Sequence, residues 1–294
     1  MTDDVQVRAH QLMHEGDSAV WSIAALSLVL SGRATEQQRV AAHAVLAAHG
    51  LTSPDDLAGL DAEPLAAQVV APLLQAAALV SGGAGSWAEQ SGDALRAQGR
   101  ASAQGAAGFK QWAMPRLTGV QALLETPGAR LLDVGTGVAA LAVAWAEEFP
   151  QLTVVGLDVS ARVLAMAAET VAASAVQARV VLREQDVSTL DEEDVYALAW
   201  LPAPFLPERA LKEGAVRVAR ALVAGGWLIV GHGKFGGEPL DDMVSRFKTV
   251  VYGGTALDDE EARGLLTGAG LTDVFTLPTP PGAPALTYGR KPIG

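Results

Sequence analysis

RLLDVGTGVAALA, at residues 130–142, is the stretch that decides the fold of this chain. It opens with a short apolar run that ends at Gly135 and Gly137, and apolar residues then recur at helical spacing. This order predicts a strand, a glycine turn and a helix. Because glycine has no Cβ, the backbone N–H groups of the turn can approach a ligand, and the helix directs its positive N-terminal end to the same point.

A second stretch, TVVGLDVS at residues 153–160, predicts a buried strand that ends on an acid. Asp158 lies about 20 positions beyond Gly137, the spacing at which an acid accepts hydrogen bonds from the two ribose hydroxyls of a nucleoside cofactor. Residues 130–160 therefore predict a nucleotide-binding βαβ unit.

Two cofactors fit this unit. Gly135, Gly137 and Ala140 satisfy the G-x-G-x-x-G/A dinucleotide pattern, so an NAD-dependent oxidoreductase stays open. Asp133, two positions before the first glycine, favours a different ligand. Its carboxylate suits a cationic amino group and a sulfonium and would repel a pyrophosphate.

The loop resembles the first motif of the class I S-adenosylmethionine-dependent methyltransferases, an acid-x-Gly-x-Gly-x-Gly sequence. Asp133, Gly135 and Gly137 match, and Ala139 takes the place of the third glycine. The resemblance runs from about Gly128 to Arg290. It implies an α/β fold with a doubly wound, Rossmann-like sheet of seven strands whose last hairpin is antiparallel, and S-adenosyl-L-methionine as cofactor.

The implied activity is methyl transfer to a small-molecule acceptor, of the natural-product type found in secondary metabolism. A scaffold that keeps the cofactor fold without turnover is the alternative from another class. An NAD-dependent oxidoreductase is the third reading, and the missing Tyr-x-x-x-Lys pair of short-chain dehydrogenases counts against it.

Composition and charge limit the classes of substrate and partner that the chain is expected to bind. The 294 residues, half of them hydrophobic, are enough for one large or two modest domains. A net charge of −12 argues against a nucleic-acid substrate, because phosphate binding normally needs a basic surface. No apolar run reaches the roughly 18 to 20 residues of a membrane span, and the start MTDD lacks a basic signal segment, so we expect a cytoplasmic protein. With no cysteine and five scattered histidines, we expect no metal.

Before the glycine loop the chain predicts helices only. Apolar stripes bounded by capping residues and glycines predict helices at 20–30, 36–49, from Ser53, and at 63–80, where Pro72 should kink or split the helix. Residues 82–85, GGAG, predict a flexible break. We therefore predict an N-terminal helical domain, residues 1–125, and a cofactor-binding domain, residues 126–294. The N-terminal helices are also the candidate surface of a homodimer.

The resemblance implies that such helices cover the cofactor and help to form the substrate pocket. Phe109 and Trp112 would then contact the substrate, and the alternative is that both are core residues. Beyond the second strand, further strands are predicted at 180–182, 195–200 and 227–230, and an antiparallel pair at 272–277 and 285–290. Asp186, after the third strand, matches the family acid that binds the adenine amino group.

The fourth strand leads into WLPAPFLP, residues 200–207, where Trp200 and Phe205 could form apolar pocket walls. This loop lacks the polar residue of the Asn/Asp-Pro-Pro-Tyr/Phe motif in base-modifying amino methyltransferases, which argues against base methylation. His232, after the fifth strand, could act as a general base or only shape its loop. The complete predicted site comprises cofactor-binding Asp133, Gly135, Thr136, Gly137, Asp158, Val159, Asp186, Val187 and Trp200, substrate-binding Phe109, Trp112, Trp200, Phe205 and Lys234, and catalytic His232.

Overall fold

A computed structural model describes residues 2–58, 60, 62–83, 86–279 and 283–293. The chain forms two compact units, Met1–Pro72 and Leu73–Gly294. The domain boundary predicted near residue 125 differs from the boundary between these two units. That residues 1–125 cover the cofactor remains a prediction. Of the predicted glycine break, residues 84 and 85 lie outside the described residues.

The first unit consists of helices. It contains α1 (Thr2–Leu30), α2 (Glu36–Ala48), a 3₁₀ turn at Pro54–Leu57 and the start of α3 (Ala62–Val80). Thr35 and Gln38 cap α2 reciprocally through side chain and backbone, as the sequence signal predicted. α1 begins 18 residues before the predicted start at residue 20, and α3 continues through Pro72 without splitting.

In the second unit, a further run of helices precedes the sheet. α4 (Gly92–Gly108) is capped by the Ser91 side chain and continues into a π-type segment, Phe109–Ala113. A 3₁₀ turn at Met114–Arg116 and the short α5 (Val120–Glu125) then lead to the first strand. None of the described helices has an apolar stretch long enough to cross a bilayer.

A seven-stranded sheet forms the centre of this unit. Its strands are β1 (Arg130–Val134), β2 (Thr153–Asp158), β3 (Val180–Glu184), β4 (Tyr196–Pro202), β5 (Leu222–His232), β6 (Thr272–Leu277) and β7 (Ala285–Arg290). The spatial order is β3-β2-β1-β4-β5-β7-β6, with the first five strands parallel and β7 antiparallel to both of its neighbours. The predicted doubly wound sheet with a final antiparallel hairpin is confirmed.

Four of the described helices cover the two faces of the sheet, namely α6 (Ala140–Glu148), α7 (Ala161–Ala172), α8 (Glu208–Ala221) and α10 (Asp259–Gly268). A further helix, α9 (Pro239–Val251), follows β5 and contacts the turn at Ala203–Phe205. Successive residues of β1 point to opposite faces, so Leu131 belongs to one buried apolar cluster and Leu132 to the other. α9 was not predicted, although Pro239 at its first turn and apolar residues at helical spacing are the signals of a helix.

The connections from the sheet locate a crevice. β1 lies between β2 and β4, and the chain leaves the carboxyl end of β1 towards β2 on one side. Strand order therefore reverses at β1. Open α/β sheets bind ligands outside the carboxyl ends of their strands at such a point. The residues after β1, β2 and β4 are the ones expected to meet there.

Candidate functional site

The glycine loop turns sharply after β1. Gly135 and Gly137 have φ angles of 65° and 57°, a conformation that costs glycine little and other residues more. Ala139 also adopts the left-handed conformation, with φ 61°, as the N-cap of α6. It is the residue that replaces the third glycine of the motif, so the backbone keeps the glycine-type turn with an alanine in it.

Asp133, at the end of β1, is only 1% exposed. Its Oδ2 atom accepts a hydrogen bond of 2.7 Å from the Thr136 hydroxyl. Burial raises the pKa of Asp133 to about 7, although the Thr136 bond opposes this, and the nearby charge of Asp158 adds to the rise. Gly156 on β2 makes room for Thr136, because a Cβ at position 156 would lie 2.7 Å from its Oγ1 atom.

Asp158 connects β2 to the glycine loop. Its Oδ2 atom accepts from the Gly137 N–H at 3.1 Å, and its Oδ1 atom accepts from the Ser160 N–H at 2.9 Å. Burial raises the pKa of Asp158 in spite of these backbone hydrogen bonds. The carboxylate is therefore held in place between two loops at the carboxyl edge of the sheet.

A cavity of about 70 Å³ lies beside the glycine loop. It is lined by Trp87, Leu95, Gln98, Gly99, Ser102, Asp133, Gly135, Thr136, Gly137, Val138, Ala140, Leu141, Trp200, Pro202 and Phe205. Of the predicted site residues, this brings together the glycine loop, Asp133, Trp200 and Phe205. A pocket for a drug-sized ligand usually measures about 300 Å³ or more, so the cavity would have to widen for a larger molecule to enter.

The sequence analysis missed the contribution of α4 and the loop before it. Gln98 and Ser102 bring polar groups to the cavity, and the Gln98 amide nitrogen lies 3.3 Å from the Ser102 hydroxyl. Gly99 packs directly on the glycine loop, since a Cβ there would lie 2.5 Å from Val138 Cγ2. The run of glycines and alanines in α4 is the signal for such close packing, but it does not show which helix is the partner.

Three aromatic rings form one cluster at the cavity. Trp87 packs on Phe205 with ring centroids 4.8 Å apart, and both rings contact Tyr252, which follows α9. The Tyr252 hydroxyl donates a hydrogen bond to buried Gln75. Trp200 forms a further wall, and its ring occupies the space that a side chain at Gly231 would need. Trp87, Trp200 and Phe205 are therefore the three aromatic side chains of the described cavity lining.

The predicted adenine-side residues lie at the same edge of the sheet, after β2 and β3. Val159 is exposed, and Val187 is buried against Gly214 of α8. Asp186 is exposed, and its Oδ1 atom accepts from the Ser188 N–H as the cap of a 3₁₀ turn. None of the three lines the cavity.

Three predicted substrate contacts also lie outside the cavity lining. Phe109 is 6% exposed and packs edge-on against Trp145 in the main apolar cluster, which is the core alternative that the sequence left open. Trp112 is half-buried beneath the Arg116 guanidinium. Lys234 is exposed, and its ammonium group donates to the Thr279 carbonyl.

His232 ends β5 and is fully buried. One ring nitrogen, Nδ1, lies 3.0 Å from the Gly233 carbonyl, to which it can only donate. The other, Nε2, then accepts from the Thr287 hydroxyl at 2.8 Å. Burial lowers the pKa of His232, so the ring is neutral at physiological pH, and both of its nitrogen atoms are bonded within the protein.

Comparison with known proteins gives a match at this site. Residues 131–226 match a family model described as a methyltransferase domain. No curated protein matches the chain. These residues contain β1 to β4, the glycine loop, Asp158 and most of the cavity walls that the sheet contributes.

Solved structures share the fold across nearly the whole chain. The pyocyanin biosynthetic protein PhzM is 18% identical with a TM-score of 0.62, over 99% of this chain and 100% of its own. A candidate O-methyltransferase from Nostoc punctiforme is 15% identical with a TM-score of 0.59, over 98% of both chains. An O-methyltransferase family protein from Burkholderia thailandensis is 17% identical with a TM-score of 0.54, also over 98% of both. At these identities the likeness shows a shared fold.

Proposed function

We propose that this chain, a class I S-adenosylmethionine-dependent methyltransferase by its matched domain and its fold, methylates a small organic molecule of secondary metabolism. The observation that carries the proposal is the buried carboxylate of Asp133 in the wall of a cavity at the glycine loop, whose lining is otherwise mainly apolar and includes three aromatic side chains. Such a cavity suits a compact, largely apolar acceptor and not a polymer.

Asp133 fits the cationic part of the cofactor. In the described part of the chain, no lysine, arginine or histidine forms an ion pair with this carboxylate. A buried carboxylate without a cation is unfavourable, which its raised pKa reflects. A ligand that brings an ammonium group would supply the missing charge.

The remaining cofactor contacts are assigned to residues at the carboxyl edge of the sheet. We assign Asp158 to the ribose hydroxyls, because the Gly137 and Ser160 N–H groups hold its carboxylate at the end of β2. Val159, Asp186 and Val187 are assigned to the adenine side, after β2 and β3. Gly135, Thr136 and Gly137 form the loop between these groups and Asp133.

The cofactor supplies an electrophilic methyl group on a sulfonium when bound. The chain then has to align the acceptor with that methyl group and exclude water. Trp87, Trp200 and Phe205 enclose the acceptor side, and Gln98 and Ser102 offer hydrogen bonds to its polar groups. Among the described residues that line the cavity, Asp133 is the single ionisable one, and we assign it to the cofactor. We therefore propose alignment, without a protein base, as the main contribution to rate.

His232 is not assigned to the reaction, because both ring nitrogens are bonded to Gly233 and Thr287. Phe109, Trp112 and Lys234 are likewise left out of the proposed acceptor site, since none of them lines the cavity.

A calorimetric titration separates this function from its alternatives. We expect S-adenosylmethionine and S-adenosylhomocysteine to bind and NAD not to bind. Transfer of tritium from [methyl-³H]S-adenosylmethionine to a panel of small phenols, carboxylic acids and amines then tests turnover. NAD binding alone would indicate an oxidoreductase, and cofactor binding without transfer to any acceptor would favour the scaffold.

A homodimer through the N-terminal helices is part of the proposal. Every residue of α1 from 4 to 21 is exposed, including six large apolar ones: Val5, Val7, Leu12, Met13, Val20 and Trp21. An isolated helix is marginally stable in water, so a helix this exposed is expected to have a partner. A second copy of α1 presents the same apolar residues. The cytoplasmic location expected from the sequence remains a prediction.

A further inference from the structure

Gln90 is the least satisfied polar side chain in the described part of the second unit. It is 1% exposed, and neither its amide nitrogen nor its amide oxygen has a hydrogen-bond partner there. Buried amides are normally hydrogen-bonded, because leaving them unpaired lowers stability. A partner from outside the chain would explain why a glutamine occupies this position.

Gln90 lies in a short segment, residues 86–91, that we call the strap. At one end of the strap, Trp87 lines the cavity and packs on Phe205, which follows β4. At the other end, Arg162 of α7 donates to the carbonyl oxygens of Ala88 and Gln90, both at 2.8 Å. α7 follows β2, and β1 lies between β2 and β4. The strap therefore crosses the carboxyl end of β1, above the glycine loop.

The Gln90 end of the strap lies on the Asp158 side of the crevice. Arg162, which holds it, is two residues after Ser160, and the Ser160 N–H binds the Asp158 carboxylate. Directly after the strap, Leu95 of α4 packs with Val163 of α7. Asp133 is on the other side of the glycine loop, at the end of β1.

We propose that the Gln90 amide binds the adenosine half of the cofactor. This inference rests on the proposed function and adds one cofactor contact to it. An amide both donates and accepts hydrogen bonds, and adenosine offers hydroxyl groups and ring nitrogens of both kinds. Asp133 serves the charged amino-acid half. Arg162 is a positioning residue, because it holds the backbone of residue 90 while its own side chain is directed to carbonyl oxygens.

The substitution Gln90→Leu tests this assignment with two readouts that move in opposite directions. Calorimetric titration should show about five- to tenfold weaker S-adenosylhomocysteine binding, the size of one lost hydrogen bond. The melting temperature of the ligand-free protein should stay the same or rise, because an unpaired buried amide has been removed. Gln177→Leu, at an exposed position before β3, is the control and should change neither. Unchanged affinity in a folded Gln90→Leu protein would overturn the proposal.

5′-Methylthioadenosine identifies which half of the cofactor is contacted, because it carries the adenosine but no amino-acid group. Gln90→Leu should weaken its binding by the same factor as it weakens S-adenosylhomocysteine. If only S-adenosylhomocysteine were affected, the assignment to adenosine would be wrong. A wild-type protein that binds neither compound would refute the proposed function itself, which is a different result.

A double-mutant cycle tests the role of Arg162. Arg162→Leu should weaken S-adenosylhomocysteine binding in the wild-type background by about the same factor as Gln90→Leu. In the Gln90→Leu background it should add less than about twofold, because its effect passes through that amide. Losses that multiply in the double variant would show that Arg162 does not act through Gln90.

Discussion

At the scale of single residues, Asp133 is the group on which cofactor binding should depend most. Its carboxyl group is buried, it accepts a hydrogen bond from the Thr136 hydroxyl, and its pKa lies at about 7. Near neutral pH the carboxyl group is therefore divided between its charged and neutral forms. A cationic ligand binds the charged form, so ligand binding and proton release are coupled.

The affinity for S-adenosylhomocysteine should consequently rise with pH. Below about pH 7 we expect up to a tenfold loss per pH unit, levelling off above pH 8. Titrations in buffers of different ionisation enthalpy should detect the proton released at pH 6. In Asp133→Asn the binding should be weaker throughout and nearly independent of pH. A flat profile for the wild type would contradict the assignment of Asp133 to the amino group.

The same pKa predicts a pH effect on stability. The folded-state pKa of Asp133 is raised above its ordinary value of 3.8, so the native state binds the proton more tightly than the unfolded chain. The resulting stabilisation is present below about pH 4 and is lost as pH rises through 7. Relative to wild type, ligand-free Asp133→Asn should therefore gain about 1 to 3 kcal/mol between pH 5 and pH 8 in denaturant titrations. Glu147→Gln, at an exposed position on α6, should show no such trend.

His232 was considered as a general base from the sequence, but its buried position at the end of β5 favours a structural role. Its hydrogen bonds join the end of β5 to β7 through Thr287. We expect His232→Gln to lower the free energy of unfolding by about 1 to 2 kcal/mol, as for a lost buried hydrogen bond, with cofactor affinity retained. Thr287→Val should have a similar effect. A kcat loss of about 10² to 10⁴ in a stable His232→Gln protein would instead assign it as the general base.

At the scale of elements, α4 and the glycine loop pack against each other and both line the cavity. At Gly99 the two are in close contact, because an added Cβ would lie 2.5 Å from Val138 Cγ2 and 3.2 Å from Ala140 Cβ. A larger residue at position 99 would therefore press on the glycine loop. The loop geometry around Asp133 is thus coupled to the position of a helix that comes before the sheet.

Two alanine substitutions on α4 form a matched pair. At Gly99 a methyl group would lie 2.5 Å from Val138 Cγ2, whereas at Gly108 it would meet no atom within 4 Å. Gly108→Ala should stabilise the protein by up to about 1 kcal/mol through helix propensity. Gly99→Ala should destabilise it by about 1 to 2 kcal/mol, because overpacking exceeds that gain. Thermal unfolding of both variants provides the measurement, and equal shifts would show that α4 does not press on the loop.

At the scale of the whole molecule, association should depend on the exposed apolar residues of α1. We expect light scattering after size-exclusion chromatography to give the mass of two chains, about 60 kDa from the chain mass of 30.3 kDa. The double substitution Leu12→Glu and Met13→Glu should shift the protein to one chain. Asp4→Ala and Glu15→Ala, on exposed polar positions of the same helix, should leave it a dimer. A wild-type mass of one chain at micromolar concentration would contradict the predicted dimer.

Much of the βαβ unit and its glycine loop could be predicted from the sequence because their signals are local. An apolar run that stops at two glycines defines β1 and its loop, and the spacing to Asp158 follows from one helix and one strand. Asp133 was a candidate cofactor-binding residue because it lies at the end of the predicted strand. The last hairpin was predicted residue for residue at Thr272–Leu277 and Ala285–Arg290, since turn residues bound both segments.

The enclosure of the cavity depends on tertiary contacts that the sequence did not reveal. A helix of alanines and glycines shows no single apolar stripe, so the sequence did not reveal that α4 packs on the glycine loop and brings Gln98 to the cavity. Phe109 and Trp87 are both aromatic residues before the sheet, and only long-range packing places one in the core and the other at the cavity. The spacing of apolar residues in a sequence indicates whether a segment forms a helix or a strand. Which face of an element meets the cavity depends on elements distant in the chain, and for that reason the enclosure of the cavity could not be predicted before the fold was known.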